Sequence, residues 1–203
     1  MNLLVKNFSS ALDSKNKSPA RMSKLRFFLH SIRDFKTIGS VTPSGKYLVD
    51  ALIAPIDPKN ARCIVELGAG EGCVTRELQK KVSDDCIILS FEIHETLLRP
   101  SDAYKKNVIL IHDDAENIKK HLDLHNIKSI DYVISSLPLA QIPKEKVAKI
   151  LASVKELLEP HGSYVQYQYS LLSKKTIGKH FKNIRVKFVP FNIFPAFVYI
   201  CKK

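Results

Sequence analysis

Apolar positions along the chain follow two rhythms that take turns. Arg62–Leu67, Cys86–Glu92, Asn107–Ile111 and Ile130–Ser135 are short aliphatic or β-branched runs, which predicts strands buried on both faces. Between them, helical spacing predicts helices from about Cys73 to Lys81, from Ile118 to Leu124, and over Lys144–Leu158, where Val147, Ile150, Leu151, Val154, Leu157 and Leu158 share one side. Pro160-His-Gly162 then stops the helix and leads into a fifth strand, Ser163–Tyr169. Strands alternating with helices predict a parallel sheet covered on both faces. The tail breaks the rhythm: Ile184–Phe191 and Ala196–Cys201 are joined by Asn-Ile-Phe-Pro, with no room for a crossover helix, so they pair as a hairpin. The expected fold is α/β: a doubly wound, seven-stranded, mostly parallel Rossmann-like sheet with a C-terminal antiparallel hairpin.

Ahead of this alternation lies a different segment. Ser18-Pro19 marks a helix start, and Met22, Leu25, Phe28, Leu29 and Ile32 then recur at helical spacing. Arg21, Lys24, Arg26 and Arg33 fall largely off that stripe, so the helix is amphipathic and basic. Two roles stay open, a helix packed on the domain or one lying on anionic headgroups through Lys24, Arg26 and Arg33. A turn-rich link, Gly39–Gly45, opens another helix through Leu48, Leu52 and Ile53, which Pro55 and Pro58 close. The expected division is residues 1–40, a basic N-terminal segment, and 41–203, one α/β domain.

Charge changes the picture next. The 203 residues carry 32 Lys+Arg against 20 Asp+Glu, a formal net of +12. That favours a polyanionic partner, and both nucleic acid and an anionic membrane surface qualify. No stretch approaches the roughly 20 apolar residues that span a bilayer, and no signal peptide is visible, so the expectation is a cytoplasmic protein with peripheral membrane contact. Cys63, Cys73, Cys86 and Cys201 show no metal-ligand spacing, and no metal site is expected.

The candidate chemistry starts at Val65-Glu-Leu-Gly-Ala-Gly-Glu-Gly72, where the first strand gives way to a helix. Gly68, Gly70 and Gly72 allow a tight turn and close approach to a ligand. The third glycine of a dinucleotide fingerprint would stand at 73, which is Cys73, and Glu66 and Glu71 would repel a pyrophosphate. S-adenosylmethionine has no phosphate and carries a sulfonium and an ammonium, so it is the expected cofactor. Glu92, about twenty residues on, ends the second strand where a carboxylate can accept from both ribose hydroxyls. Asp114, in His112-Asp-Asp-Ala115, is the candidate acceptor for the adenine amino group, and equally a helix N-cap.

Ser135-Ser-Leu-Pro-Leu139 ends the fourth strand, beside the place where a transferred methyl must lie. Adenine and amide N-methyltransferases carry an Asn-Pro-Pro-aromatic or Asn-Leu-Pro-aromatic loop there. Here Ser135 takes the acceptor position and Leu139 stands where the aromatic belongs. Without that ring a flipped base loses roughly 1–3 kcal/mol of stacking, which counts against a base as substrate despite the charge.

These residues resemble the bacterial phospholipid N-methyltransferases, with the related ornithine-lipid methyltransferases. The likeness covers most of the chain from about residue 25. It rests on Phe27-Phe-Leu-His-Ser-Ile-Arg33, Ile38-Gly-Ser-Val-Thr-Pro-Ser44, the glycine loop, the serine-opening and aliphatic-closing Ser135–Leu139, Tyr164-Val-Gln-Tyr-Gln-Tyr169 and Asn192-Ile-Phe-Pro-Ala196. It implies methyl transfer from S-adenosylmethionine to the amine of a lipid headgroup such as phosphatidylethanolamine. It also implies a cofactor site drawing on Gly39, Ser40, Thr42, Glu66, Gly68, Gly70, Glu92, Ile93, Asp114, Ala115 and Ser135. Ser136, Leu137, Pro138 and Tyr169 would meet the substrate, and Ser135, Tyr167 and Tyr47 are the candidates for handling its amine. The alternatives are an RNA adenine N-methyltransferase, or a non-catalytic lipid- or nucleic-acid-binding protein on the same fold. Oligomeric state stays open.

Overall fold

The computed structural model of the protein describes residues 43–95, 104–192 and 194–203. The expected basic helix, with the rest of residues 1–42, lies outside the described residues. In chain order the elements are α1 (Pro43–Ile53), β1 (Cys63–Leu67), α2 (Cys73–Lys81), β2 (Ile87–Glu92), β3 (Val108–His112), a 3-10 turn (Ala115–Asn117), α3 (Ile118–Leu124), β4 (Ile130–Ser135), α4 (Lys144–Leu157), β5 (Leu158–Gln168), α5 (Lys174–Gly178), β6 (Asn183–Val189) and β7 (Ala196–Lys202).

The strands form one sheet in the order β3-β2-β1-β4-β5-β7-β6. The pairs among β1–β5 are parallel, and β7 is antiparallel to both β5 and β6. The chain therefore builds outward from β1 through β2 to β3, then returns to start the other half at β4, beside β1. This reversal leaves a crevice at the carboxyl ends of β1 and β4, where ligands bind in open α/β sheets.

Alternation along β1 feeds two cores. Cys63, Val65 and Leu67 join Phe91, Ile118, Leu122, Ile150 and Val154 under α3 and α4. Ile64 points the other way, into Leu48, Leu52, Val74 and Leu78 of α1 and α2. Each such fully buried aliphatic side chain contributes roughly 1.5–3 kcal/mol. Cys63, Cys86 and Cys201 are buried thiols, which burial pushes up to about 12.

Two elements differ from the reading above. The strand expected at Ser163 begins at Leu158 and carries Pro160-His161-Gly162 as a register shift, with Ile130 opposite Leu158 but Tyr132 opposite Ser163. The proline has no N–H to give the ladder. Gly162 is held so close that a Cβ would lie 2.8 Å from the Asp131 carbonyl oxygen. The punctuation thus bends the strand rather than preceding it. The five-residue α5 was not anticipated, being too short to show a period.

Asp131 ties the two halves at the start of this region. Its Oδ2 accepts from the backbone amides of Arg62 (2.8 Å) and Cys63 (2.9 Å). Asp131→Ala is expected to leave both amides without an acceptor, at about 1–3 kcal/mol each. Chemical denaturation should show a stability loss in that range, with cofactor affinity in the folded protein unchanged.

Candidate active site

Three glycines make the first wall. Gly68, Gly70 and Gly72 have φ of 80°, 55° and 75°, a region that residues with a Cβ rarely enter. The amides of Gly68 and Ala69 both donate to the Phe91 carbonyl at 2.9 Å, so the loop leaving β1 is hung on the end of β2. A Cβ on Gly68 would lie 3.4 Å from Leu137 Cδ2 and 3.6 Å from the Ser136 carbonyl carbon. The loops that follow β1 and β4 therefore meet at this glycine. A Cβ on Gly70 would find nothing within 4 Å; there the backbone faces open space.

The acids take separate jobs. Glu92 is almost fully buried at the end of β2. Its Oε2 accepts from the Gly70 amide at 2.8 Å and its Oε1 from the His94 amide at 3.0 Å. Each oxygen retains a lone pair, and the carboxylate stands against the glycine loop. Ile93 beside it is exposed, an apolar surface at the same strand end.

Glu66 is fully buried on β1. Its Oε2 accepts from Thr75 Oγ1 (2.5 Å) and Ser90 Oγ (2.8 Å), and burial pushes its carboxyl above the ordinary range. Its Oε1 is enclosed and has no hydrogen-bond partner among the described residues.

Asp114 caps the 3-10 turn by accepting from the Glu116 amide at 3.0 Å, and its other oxygen takes the Lys146 ammonium. Of the two roles left open for Asp114, the N-cap is thus made. Lys146 was not singled out in the sequence, and a lysine on a solvated helix gives no signal of its own. Asp113 is held well below the usual carboxylate range, first by His121 and then by Asn117; it braces the turn. Ala115 is buried in the core.

The segment after β4 is pinned from β5. Gln166 Nε2 and Gln168 Nε2 donate to the Leu137 carbonyl at 3.1 and 2.8 Å. Tyr164 Oη donates to Gln166 Oε1 at 2.6 Å, and its ring stacks on Phe181 at 5.4 Å. The glutamines were missed as site residues; the signal was there, a buried-strand polar pair two apart, alternating with Val165 and Tyr167. Ser135 is fully buried, its hydroxyl against Tyr164. Ser136, Leu137 and Pro138 are half-buried. Leu139 turns into the core and presents nothing to the crevice.

The tyrosines stand at the carboxyl end of the sheet. Tyr167 and Tyr169 meet edge to face at 5.6 Å, and Tyr169 lies 6.0 Å from Phe194. Tyr47 is exposed, with its ring 5.9 Å from Phe191. Burial pushes the Tyr167 phenol far above its ordinary range, and the neighbouring Tyr169 hydroxyl adds to this. Of the remaining candidates, Gly39, Ser40, Thr42, Lys24, Arg26 and Arg33 lie outside the described residues.

This arrangement fits S-adenosylmethionine. The glycine cradle is open at Gly70, and Glu92 supplies a carboxylate beside it. Comparison with known proteins agrees. Residues 64–162 match the family described as "Methyltransferase domain". The ornithine lipid N-methyltransferase of Singulisphaera acidiphila is 31% identical over 183 residues, covering 87% of this chain and 95% of that one. Among solved structures, an rRNA methylase from Streptococcus thermophilus aligns with TM-score 0.56 at 20% identity, over 81% of this chain and 99% of its own. Aeropyrum pernix fibrillarin, solved with natively bound S-adenosyl-L-methionine, aligns with TM-score 0.55 at 18% identity, over 76% of this chain and 74% of its own. At these identities the two structures speak for the fold.

Replacing Glu92 by Ala removes a charged acceptor and frees the Gly70 amide, at about 1.5–3 kcal/mol for a hydrogen bond to a charged group. Titration calorimetry with S-adenosylhomocysteine should show affinity at least tenfold weaker. Unchanged affinity would contradict the ribose role.

Proposed function

The chain belongs to the class I S-adenosylmethionine-dependent methyltransferases, and on that footing we propose that it methylates the amine of a membrane aminolipid, phosphatidylethanolamine or an ornithine-type lipid. The observation that carries this reading is the 31% identity to an ornithine lipid N-methyltransferase along almost the whole length of both chains. The site is consistent with it. Leu139 is packed away in the core, so no ring at that position grips a flat base, while the small, half-buried Ser136 leaves room for a head that grows with each methyl.

When bound, S-adenosylmethionine supplies a methyl already activated by its sulfonium. The residues of this chain then have to align and exclude water rather than activate the donor. Glu92 and the Gly68–Gly70 loop hold the nucleoside end. Gln166 and Gln168 fix the Leu137 carbonyl, and with it the backbone that flanks the incoming amine. Held there, the cofactor would supply its methyl carbon to the lone pair of the neutral amine, with the sulfur taking the C–S bonding pair and the surplus N–H proton passing to water. Burial holds the Tyr167 phenol above its ordinary range, which favours a role as a hydrogen-bond partner that orients the amine over one as its base.

Two outcomes follow. With purified protein and labelled S-adenosylmethionine, label should enter the lipid of vesicles containing phosphatidylethanolamine or ornithine lipid, and chromatography of the product names the headgroup. Label confined to total RNA offered in parallel would overturn the reading. The rate should rise with pH as the amine loses its proton, and Tyr167→Phe should lower the rate without moving that profile. A profile displaced in the variant would make the phenol the base.

A further inference from the structure

The carboxyl end of the sheet carries an apolar rim that the chemistry above does not use. It is built by the β5–α5 loop, the β6–β7 turn and the start of α1. Leu172 is 79% exposed and Phe191 69%, and Leu171 and Tyr47 are also exposed. Phe197 pairs with Gln168, the last residue of β5, and Ala196 pairs with Val189, so topology puts the loop and the turn side by side. Tyr47 is joined to this rim by its ring contact with Phe191. Soluble surfaces rarely leave large apolar side chains clustered in this way unless the patch binds something.

We propose that this rim is a membrane-contact surface, through which the protein sets the mouth of its site on a bilayer bearing anionic lipid. The inference rests on the aminolipid reading. Charge selects the bilayer as the occupant. Leu171 and Leu172 are followed at once by Ser173 and then by Lys174 and Lys175, Lys46 precedes Tyr47, and no acid occurs anywhere after Glu159. Leucine and aromatic tips collared by lysines match the two layers of a membrane interface. The tips enter the acyl boundary, and the long lysine stems keep their ammonium groups among the headgroups. The placement also serves the reaction. The rim lies at the same end of the strands as the Gly68 and Ser136–Leu137 loops, so a headgroup would reach the crevice without its acyl chains leaving the bilayer.

The sequence contains no tryptophan, so a single introduced one reports without interference. Leu172→Trp is the probe. Leu124→Trp is the control, exposed at the end of α3 that leads to the amino end of β4. On adding vesicles of phosphatidylcholine and phosphatidylglycerol, Leu172→Trp emission should shift to the blue and be quenched by brominated lipid, while Leu124→Trp emission stays put. Leu172→Asp combined with Phe191→Asp should weaken co-sedimentation with those vesicles at least tenfold and leave S-adenosylhomocysteine affinity unchanged. No shift at 172, equal shifts at both positions, or a concentration-dependent shift without lipid (a second copy covering the rim) would each overturn the proposal. Methyl transfer to detergent-dispersed lipid separates its failure from that of the aminolipid reading, because that assay requires no docking.

Discussion

The site depends on two loops being allowed to touch. The chain leaving β1 and the chain leaving β4 emerge side by side where the sheet changes direction. Gly68 brings them to within van der Waals contact at Leu137. A side chain at 68 would meet Leu137 and would also have to hold φ near 80°. Everything else at the crevice is arranged around that contact. Phe91 and Glu92 fasten the first loop from the β2 side, and Gln166 and Gln168 fasten the second from the β5 side. The loop leaving β1 and the loop leaving β4 are therefore braced by different halves of the sheet and share one junction.

How much of this could be read from the sequence depends on how local each signal is. β4 and the helices over Cys73–Lys81 and Ile118–Leu124 fall where periodicity puts them, since burial on one or both faces leaves a pattern within a few residues. The glycine loop was equally plain, because positive φ and close approach both demand the same residue. The Pro160–Gly162 bend misled because proline and glycine mark a departure from regular pairing without saying whether the strand ends or bulges. Lys146 and the two glutamines act through partners twenty-nine to thirty-two residues away. Nothing in their immediate neighbours announces the partner.

The same division separates the cofactor from the substrate. A methyl donor needs a backbone shape and a few acids, and this chain displays both. On the aminolipid reading proposed above, the substrate is reflected in what the crevice lacks, with Leu139 in the core where adenine and amide N-methyltransferases place a ring, and in the surface around it. The lysine-rich composition is neutral between phosphate-bearing polymers and anionic bilayers. An exposed Leu171-Leu172 pair and Phe191 at the mouth are not, since nucleic acid offers little to aliphatic tips.

The most direct measurement is mass spectrometry of lipid extracts from a bacterium that contains phosphatidylethanolamine but no methylated aminolipids, expressing this chain and fed methyl-deuterated methionine. The account predicts headgroup fragments heavier by whole deuterated methyl groups on nitrogen, absent when Glu92→Ala is expressed to the same level. An unaltered aminolipid pool alongside deuterated methyl groups in RNA nucleosides would contradict it.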